Sequence, residues 1–417
     1  MRVLFCSRRF FPAISGMSVY AVNLLRQLVA AGHEVTMVSQ YRGDPAGTRV
    51  YGGGPPPAEA VPQGVRAIGR RSLGEEAFAE PGGADFERDV DDMVSTILEE
   101  HRRAPLDVLH AQYGYPNGWA VLLAAREIGV PTVVSIQGGD GHWVGSCCET
   151  HRLGMLNVLN HADALLIGCD SFAQEVVERL HVPRDRFTIV PGAVDTSRFR
   201  PAPGYAPGRA ADPVRLLYHG RVDRRKGSLD FMEALALLRG QGVPFAATVS
   251  GIGPDLDPTR ELAARLGLHD VRFTGYADYD AAPALYREAD AFVSPTYAEG
   301  FSNTILEAMA SGLPSVSCFA VGVVDCLRDG ENGLLVRPGD VPALAGALRR
   351  IVEDAPLRTR LAATALEECR RTYSWEAVGR QIMDVYAAVQ DARPSTGFDP
   401  ALPRDPDCRF RAAPHLL

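Results

Sequence analysis

The chain has 417 residues, of which 46% are hydrophobic and 23% charged, and its formal net charge is −8. That length exceeds one ordinary core and sets two domains as the expectation. The acidic balance excludes a basic nucleic-acid arm, and no apolar run approaches the ~18–20 residues of a membrane span.

The first stretch, MRVLFCSRRFFPAISG, is too short in its apolar part for a signal peptide and reads as strand and loop. RVLFCS is a continuous apolar run, as in a strand buried on both faces. RRFFPAISGMS (8–18) is a loop, VYAVNLLRQLVAAG (19–32) has helical periodicity and stops at Gly32, and HEVTMVS (33–39) is the next strand. This alternation starts a doubly wound α/β domain. Residues 41–64, with YGGGPPPAEA, are expected to hold no regular element. Residues 85–103 read as an acidic amphipathic helix, and LDVLHAQ, PTVVSIQ, ALLIGCD and FTIVPGAVD supply further strands. Between them, GHWVGSCCETH gathers His142, Cys147, Cys148 and His151. Its spacing fits none of the usual structural zinc patterns, and adjacent cysteines rarely share one ion, so the stretch reads as a loop near a substrate cleft. With no signal peptide, the eight cysteines read as reduced thiols of a cytoplasmic protein.

PAPGYAPGRAADP (201–213) reads as a linker, after which the rhythm restarts. VRLLYHGRVD is a new first strand, GSLDFMEALALLRGQG a helix closed by glycine, and FAATVSGIGP, DVRFTGYAD, DAFVSPT and LPSVSCF are strands. ENGLLVRPGD is a turn and strand, and SWEAVGRQIMDVYAAVQ (374–390) a terminal helix. The Pro-rich stretch after it reads as disordered. Two open α/β domains side by side imply a cleft between the carboxyl ends of their strands.

Lys226, in GRVDRRKGSLD, is the single lysine among 43 cationic residues. It follows Arg221 and precedes a helix opening at Gly227–Ser228. A helix N-terminus attracts anions, and two cations beside it would complete a diphosphate site. Downstream, SPTYAEGFSNTILEAMASGLPSV holds Glu299 and Glu307 around a turn and a helix start at Ser302–Asn303. A glutamate within the apolar neighbourhood of Ile305, Leu306 and Met309 should meet a hydroxyl or a cation.

On these motifs, with SGIGP, FTGY, DGENGLLVRPGD and YSWE, the chain resembles the GT-B retaining glycosyltransferases of family four, along both domains. The resemblance implies two tandem Rossmann-like doubly wound domains facing a central cleft. The acceptor domain would be 1–200, the linker 201–213, the nucleotide-sugar domain 214–373, a helix returning to the first domain 374–390, and the disordered tail 391–417. It implies that Arg221 and Lys226 hold a donor diphosphate, that Glu307 binds ribose hydroxyls, and that Glu299 binds the transferred sugar. The N–H groups of Phe301, Ser302, Asn303 and Thr304 would lie near the donor, Gly275–Tyr276 beside its base, and Gly16 where the first loop approaches donor and acceptor. Where the family commonly has a histidine, Gln137 stands, with Asp140 three residues on. Glutamine cannot titrate, so this position orients sugar or acceptor. Asp140 is the one carboxylate named as a candidate nucleophile, with front-face substitution the favoured route.

The implied partners are a nucleotide-sugar donor, UDP-linked or GDP-linked, and a hydroxyl acceptor in a glycan, a lipid-linked sugar or a small molecule. No metal and no cofactor is required. Three Asp-x-Asp triplets, Asp89–Asp91, Asp255–Asp257 and Asp278–Asp280, are read as incidental. Arginine pairs such as Arg8–Arg9 offer weak peripheral contact with anionic lipid at the inner membrane face, with solvated surface the favoured reading. A sugar-nucleotide epimerase and a non-catalytic sugar-nucleotide sensor share the architecture and are the rivals.

Overall fold

In the computed structural model of the chain, residues 1–13, 15–51, 53–138, 144–206, 211–278 and 280–414 are described, residues 49–51 by backbone alone. The chain divides into two compact units, Met1–Pro191 with Val378–Leu417, and Gly192–Ala377.

The first unit is built on a seven-stranded, all-parallel sheet. Its strands are β1 (Arg2–Ser7), β2 (Glu34–Tyr41), β3 (Val65–Arg71), β4 (Val108–Gln112), β5 (Thr132–Ile136), β6 (Ala164–Ile167) and β7 (Phe187–Ile189), in the order β3-β2-β1-β4-β5-β6-β7. Helices α1 (Gly16–Ala30), α2 (Pro45–Tyr51), α3 (Phe86–Arg103), α4 (Trp119–Ile128), α5 (Glu149–His161) and α6 (Asp170–Leu180) form the connections. Every residue of β4 and β5 is buried, which is why their sequences are continuous apolar runs rather than alternations. Helix α1 begins three residues before its apolar period because Ser15 caps it, accepting from the Ser18 N–H. Residues 41–64 were expected to lack regular structure, yet they contain α2; Asp44 begins it, accepting from the Gly47 N–H at 3.0 Å.

The second unit repeats the plan with six parallel strands in the order β10-β9-β8-β11-β12-β13. They are β8 (Val214–His219), β9 (Phe245–Ser250), β10 (Val271–Gly275), β11 (Ala291–Ser294), β12 (Ser315–Cys318) and β13 (Leu334–Val336). Its helices are α7 (Ser228–Gly240), α8 (Leu256–Arg265), α9 (Ala282–Glu288), α10 (Asn303–Ala310), α11 (Val341–Glu353) and α12 (Ala355–Thr372). A last helix, α13 (Trp375–Val389), crosses the division at residue 378, and the buried Tyr386 on it meets His110 of β4 at 2.6 Å. The division falls ahead of the Pro/Gly-rich stretch at 201–213. The chain from Gly192 already packs with the second unit, since Val194 donates to the Tyr373 carbonyl at 2.8 Å and Phe199 buries its ring against Tyr286.

Two expectations from composition are corrected. The Pro-rich tail was expected to be disordered over 391–417; over its described residues, 391–414, the backbone has little regular structure before a short turn at Arg409–Ala412, but side chains of the first unit hold it. Arg126 donates to the Phe398 carbonyl, Thr150 to the Pro403 carbonyl, and Arg411 pairs with Glu87 at 2.5 Å. Nor are Arg8 and Arg9 a solvated or lipid-facing pair. Both are buried against Glu75, Arg8 at 2.9 Å from one carboxylate oxygen and Arg9 on the other. Burial alone would raise the Glu75 carboxyl, but the Arg9 and Arg8 guanidiniums hold it below its ordinary range. Asp89 beneath them accepts from the N–H groups of Gly74 and Glu75 at 2.7 and 2.9 Å, and burial with the Glu75 charge pushes its carboxyl up to about 7. The first Asp-x-Asp triplet therefore anchors a helical turn.

Glu75→Ala leaves two buried guanidiniums uncompensated and should cost roughly 3–5 kcal/mol. A lowered midpoint in urea denaturation measures it, and an unchanged midpoint would show that the charges are not confined as the structure places them.

Candidate active site

Strand order reverses between β8 and β11 in the second unit, and at such a switch the two neighbouring loops leave the sheet in opposite directions and open a crevice. Gly220–Gly227 follows β8, and Pro295–Ser302 follows β11. They meet closely. Gly227 has φ +69°, and a Cβ there would lie 2.1 Å from the Pro295 carbonyl oxygen, so glycine alone permits the approach. The Tyr297 N–H donates to the Arg225 carbonyl at 2.9 Å.

Lys226 spans this junction. Its Nζ donates to the Ala298 carbonyl at 3.0 Å and lies 2.7 Å from Glu299 Oε2. The neighbouring cations are held otherwise. Arg224 pairs with Asp255 at 2.7 Å and Arg225 with Asp223 at 2.8 Å, while Arg221 Nε lies 3.4 Å from Asp223 with more than half its side chain exposed. The hydrogen bond from Arg225 draws the buried Asp223 carboxyl down to about 2, so it stays ionised at any working pH. Asp223 and Asp255 are site-building residues that motif reading missed, Asp255 because it fell in a dismissed Asp-x-Asp triplet. A signal for Asp223 was available: it stands where an N-cap would, directly before the turn Arg224–Lys226, and accepts from the Arg225 N–H.

Helix α10 completes this side. Its N-cap residue, Ser302, makes no capping hydrogen bond through its side chain, so its hydroxyl satisfies none of the first-turn N–H groups. A Cβ placed on Gly220 would contact Thr304, which puts this helix end beside the loop that carries Arg221. One turn in, Glu307 accepts from Tyr286 Oη at 2.6 Å. Burial pushes its carboxyl up to about 7, against the lowering influence of Tyr286 and Arg198. Tyr286 also escaped motif reading; no local pattern marks a tyrosine on α9 as the partner of a glutamate on α10. Phe301 packs against Tyr373 with the rings tilted and 5.6 Å between centroids. Gly275, at φ +70°, ends β10, and its carbonyl accepts from the Gly251 N–H at 2.7 Å; Tyr276 next to it is half exposed. Thus Arg221, Lys226, Glu299 and the start of α10 gather at one end of one sheet. Glu307 stands behind them on α10, and Gly275–Tyr276 lies at the end of the edge strand β10.

In the first unit the matching switch lies between β1 and β4. Gly16 is the exposed first residue of α1. Gln137 follows β5, and its Oε1 accepts from Gln112 Nε2 at 3.0 Å. Gln112 is a hub that sequence reading named only in passing: it also accepts from Ser7 Oγ at 2.8 Å and donates to the Met17 carbonyl at 3.1 Å. His110 is not a titrating group of the site. It is sealed between Tyr386 and Ser135, and burial drives its imidazole down to about 3. Asp140 and His142 lie outside the described residues.

Comparison with known proteins follows this layout. A model described as "Glycosyl transferase 4-like domain" matches residues 15–193, and one described as "Glycosyl transferases group 1" matches residues 213–354. The chain is 28% identical to a glycogen synthase of Mycobacterium tuberculosis, over 94% of this chain and 95% of that protein. It is also 28% identical to a D-inositol 3-phosphate glycosyltransferase of Stackebrandtia nassauensis, over 93% and 90% respectively. Among solved structures it resembles a sucrose-phosphate synthase from Thermosynechococcus elongatus, with a TM-score of 0.70 and 22% identity over 93% of this chain and 98% of that one. It resembles equally Anabaena HepE in complex with UDP and glucose, with a TM-score of 0.70 and 17% identity over 93% and 100%.

The raised Glu307 carboxyl has a consequence for stability. Between about pH 4.5 and 7 the folded state keeps a proton that the unfolded chain releases, so stability falls as pH rises through that window. Glu307→Gln removes this loss. The variant should match wild type at pH 4.5 and exceed it by roughly 1–3 kcal/mol at pH 8. Melting temperatures at both values check it; a difference that does not change with pH would contradict the burial.

Proposed function

The chain is a glycosyltransferase of the GT-B, family-four type, and we propose from its site that it moves a hexose from a nucleoside diphosphate sugar to an acceptor hydroxyl with retention of anomeric configuration. One observation carries the reading: the ion pair of Lys226 with Glu299, at 2.7 Å, beside Arg221 and the uncapped start of α10. A diphosphate would bring two to three negative charges to Arg221, Lys226 and the α10 N–H groups, all of which favour anions. Lys226 would then turn from Glu299 toward phosphate, leaving the carboxylate to accept from hydroxyls of the sugar. Glu307, held by Tyr286 and close to neutral pH in its titration, would meet the ribose hydroxyls. UDP is the favoured nucleotide, supported by the fold shared with HepE in its UDP and glucose complex, and a GDP sugar is the alternative. The acceptor hydroxyl belongs to a glycan, a lipid-linked sugar or a small molecule; the relatives named glycogen synthase and D-inositol 3-phosphate glycosyltransferase support the first and last of these.

In this reading the bond between the anomeric carbon and the β-phosphate oxygen breaks while the acceptor oxygen bonds to the same face. The acceptor proton passes to the leaving phosphate oxygen. The protein's share is electrostatic, stabilising charge that builds on the diphosphate. Gln137, fixed by Gln112, would orient sugar or acceptor without exchanging a proton.

The proposal is tested with UDP-α-glucose and GDP-α-mannose, with and without acceptors. NMR should show the α-anomer of the transferred or hydrolysed sugar forming first, and added magnesium or manganese should change turnover less than about twofold, since cations of the chain cover the diphosphate. First formation of the β-anomer, or a strict need for either ion, would overturn the mechanism. Stabilisation by a donor with no turnover would instead favour a sensor.

Lys226 offers a sharper test. Its ammonium sits between two oxygens, and a planar guanidinium is broader and needs a two-pronged partner. Lys226→Arg should keep the melting temperature and lose roughly 10–1000-fold in turnover, because a misplacement of about 1 Å can cost a hundredfold. Turnover within about twofold of wild type would show that charge alone suffices there.

A further inference from the structure

The cluster that spacing argued against is completed by the tail. Cys147, Cys148 and His151 sit at the start of α5, and Cys408 arrives from the far end of the chain, so that three sulfurs and one imidazole nitrogen all lie within 4.8 Å of one another. Among the described residues this is the one group of its kind. Cys147 Sγ is 4.0 Å from Cys148 Sγ and 3.1 Å from His151 Nδ1, and Cys408 Sγ is 3.7 Å from the same nitrogen. Ligands at ~2.0–2.3 Å around a tetrahedral ion stand ~3.5–3.8 Å apart, which is the scale of these separations. The described side chains offer no oxygen ligand to this group, and three thiolates with an imidazole is a borderline-soft set that suits zinc above magnesium or calcium.

We infer that Cys147, Cys148, His151 and Cys408 bind one zinc ion, which fastens the C-terminal tail to the first unit.

Three further observations support it. His151 is fully buried, and its Nδ1 meets the sulfurs of Cys147 and Cys408. Burying an imidazole on weak thiol partners is costly, and a metal bond at Nδ1 supplies what the hydrogen bonds lack. The ring is nevertheless fixed: it stacks on Phe410 at 5.9 Å and lies 4.4 Å from Tyr115 and 5.4 Å from Phe86, so Nδ1 is aimed rather than mobile. Cys148 is the N-cap of α5 and accepts from the His151 N–H at 3.5 Å, which fixes its sulfur at the helix start beside the imidazole. The tail is positioned around this point by polar contacts. The Asp405 carboxylate accepts from the Glu149 N–H at 3.0 Å, the Asp405 N–H donates to Thr150 Oγ1 at 2.8 Å, and Arg411 donates to the Ala84 carbonyl at 2.8 Å. Four protein ligands close a tetrahedron and leave no open position, so the ion's role is structural and separate from sugar transfer. Motif reading failed because two ligands are adjacent in sequence and the fourth lies beyond a Pro-rich stretch.

Elemental analysis of the purified full chain should find about one zinc per chain, with all eight cysteines alkylatable after denaturation without reductant. Cys408→Ser and Cys147→Ser should each lower zinc content at least fivefold and lower the melting temperature by ~2 °C or more, while Cys318→Ala, in the other unit, leaves zinc content unchanged. Should the serine variants fail to fold, cobalt exchanged into wild type decides: thiolate-to-cobalt charge transfer with intense tetrahedral bands in the red is expected. A chain with no zinc and a disulfide among Cys147, Cys148 and Cys408, or cobalt spectra without thiolate bands, would overturn the site.

Discussion

The reversal of strand order in each sheet is the constraint on which the rest depends. Parallel strands must be linked by crossovers, and where the order turns back, two loops distant in sequence are left facing one crevice. In the second unit those loops carry Lys226 and Glu299, and the chain uses the meeting fully. A glycine without space for a Cβ brings the loops together, a backbone hydrogen bond locks them, and the lysine of one loop joins them through two oxygens of the other, the Ala298 carbonyl and the Glu299 carboxylate. Its neighbours Arg224 and Arg225 are tied closely by Asp255 and Asp223, while Arg221 meets Asp223 at the longer distance of 3.4 Å.

Charge is buried in this protein where a loop must be held, and each burial is compensated differently. Glu75 stays ionised because two guanidiniums flank it. Asp223 stays ionised because Arg225 forks onto it. Glu307 is held by the Tyr286 hydroxyl, and Arg198 lowers its carboxyl less than desolvation raises it, so it is pushed up to about 7. A carboxylate desolvated against so weak a partner is a cost to folding, and groups perturbed in this way cluster at functional sites.

The tail shows the same economy in the first unit. Its proline-rich composition resists helix and sheet, and it folds by attaching to surfaces already formed: a phenylalanine beside Trp119 and His161, an arginine beside Glu87, a cysteine among the thiols that precede α5. Composition measures the tendency to form regular structure, and this segment is ordered without it.

The sequence by itself determined the α/β class, the tandem repetition of the fold, most strands, and the family motifs in which Arg221, Lys226, Glu299 and Glu307 stand. These are local signals: apolar runs of strand length, glycine stops, and short motifs whose residues lie within one loop and helix. Only the tertiary structure decided which residues support them. Tyr286 behind Glu307, Gln112 behind Gln137, Glu75 between Arg8 and Arg9, and Cys408 beside His151 are each remote in sequence from what they touch. Nothing in their own neighbourhoods announces a partner. The partner is chosen by strand order and by where the tail comes to rest, and those are settled by burial summed over the whole core rather than by any short stretch of chain.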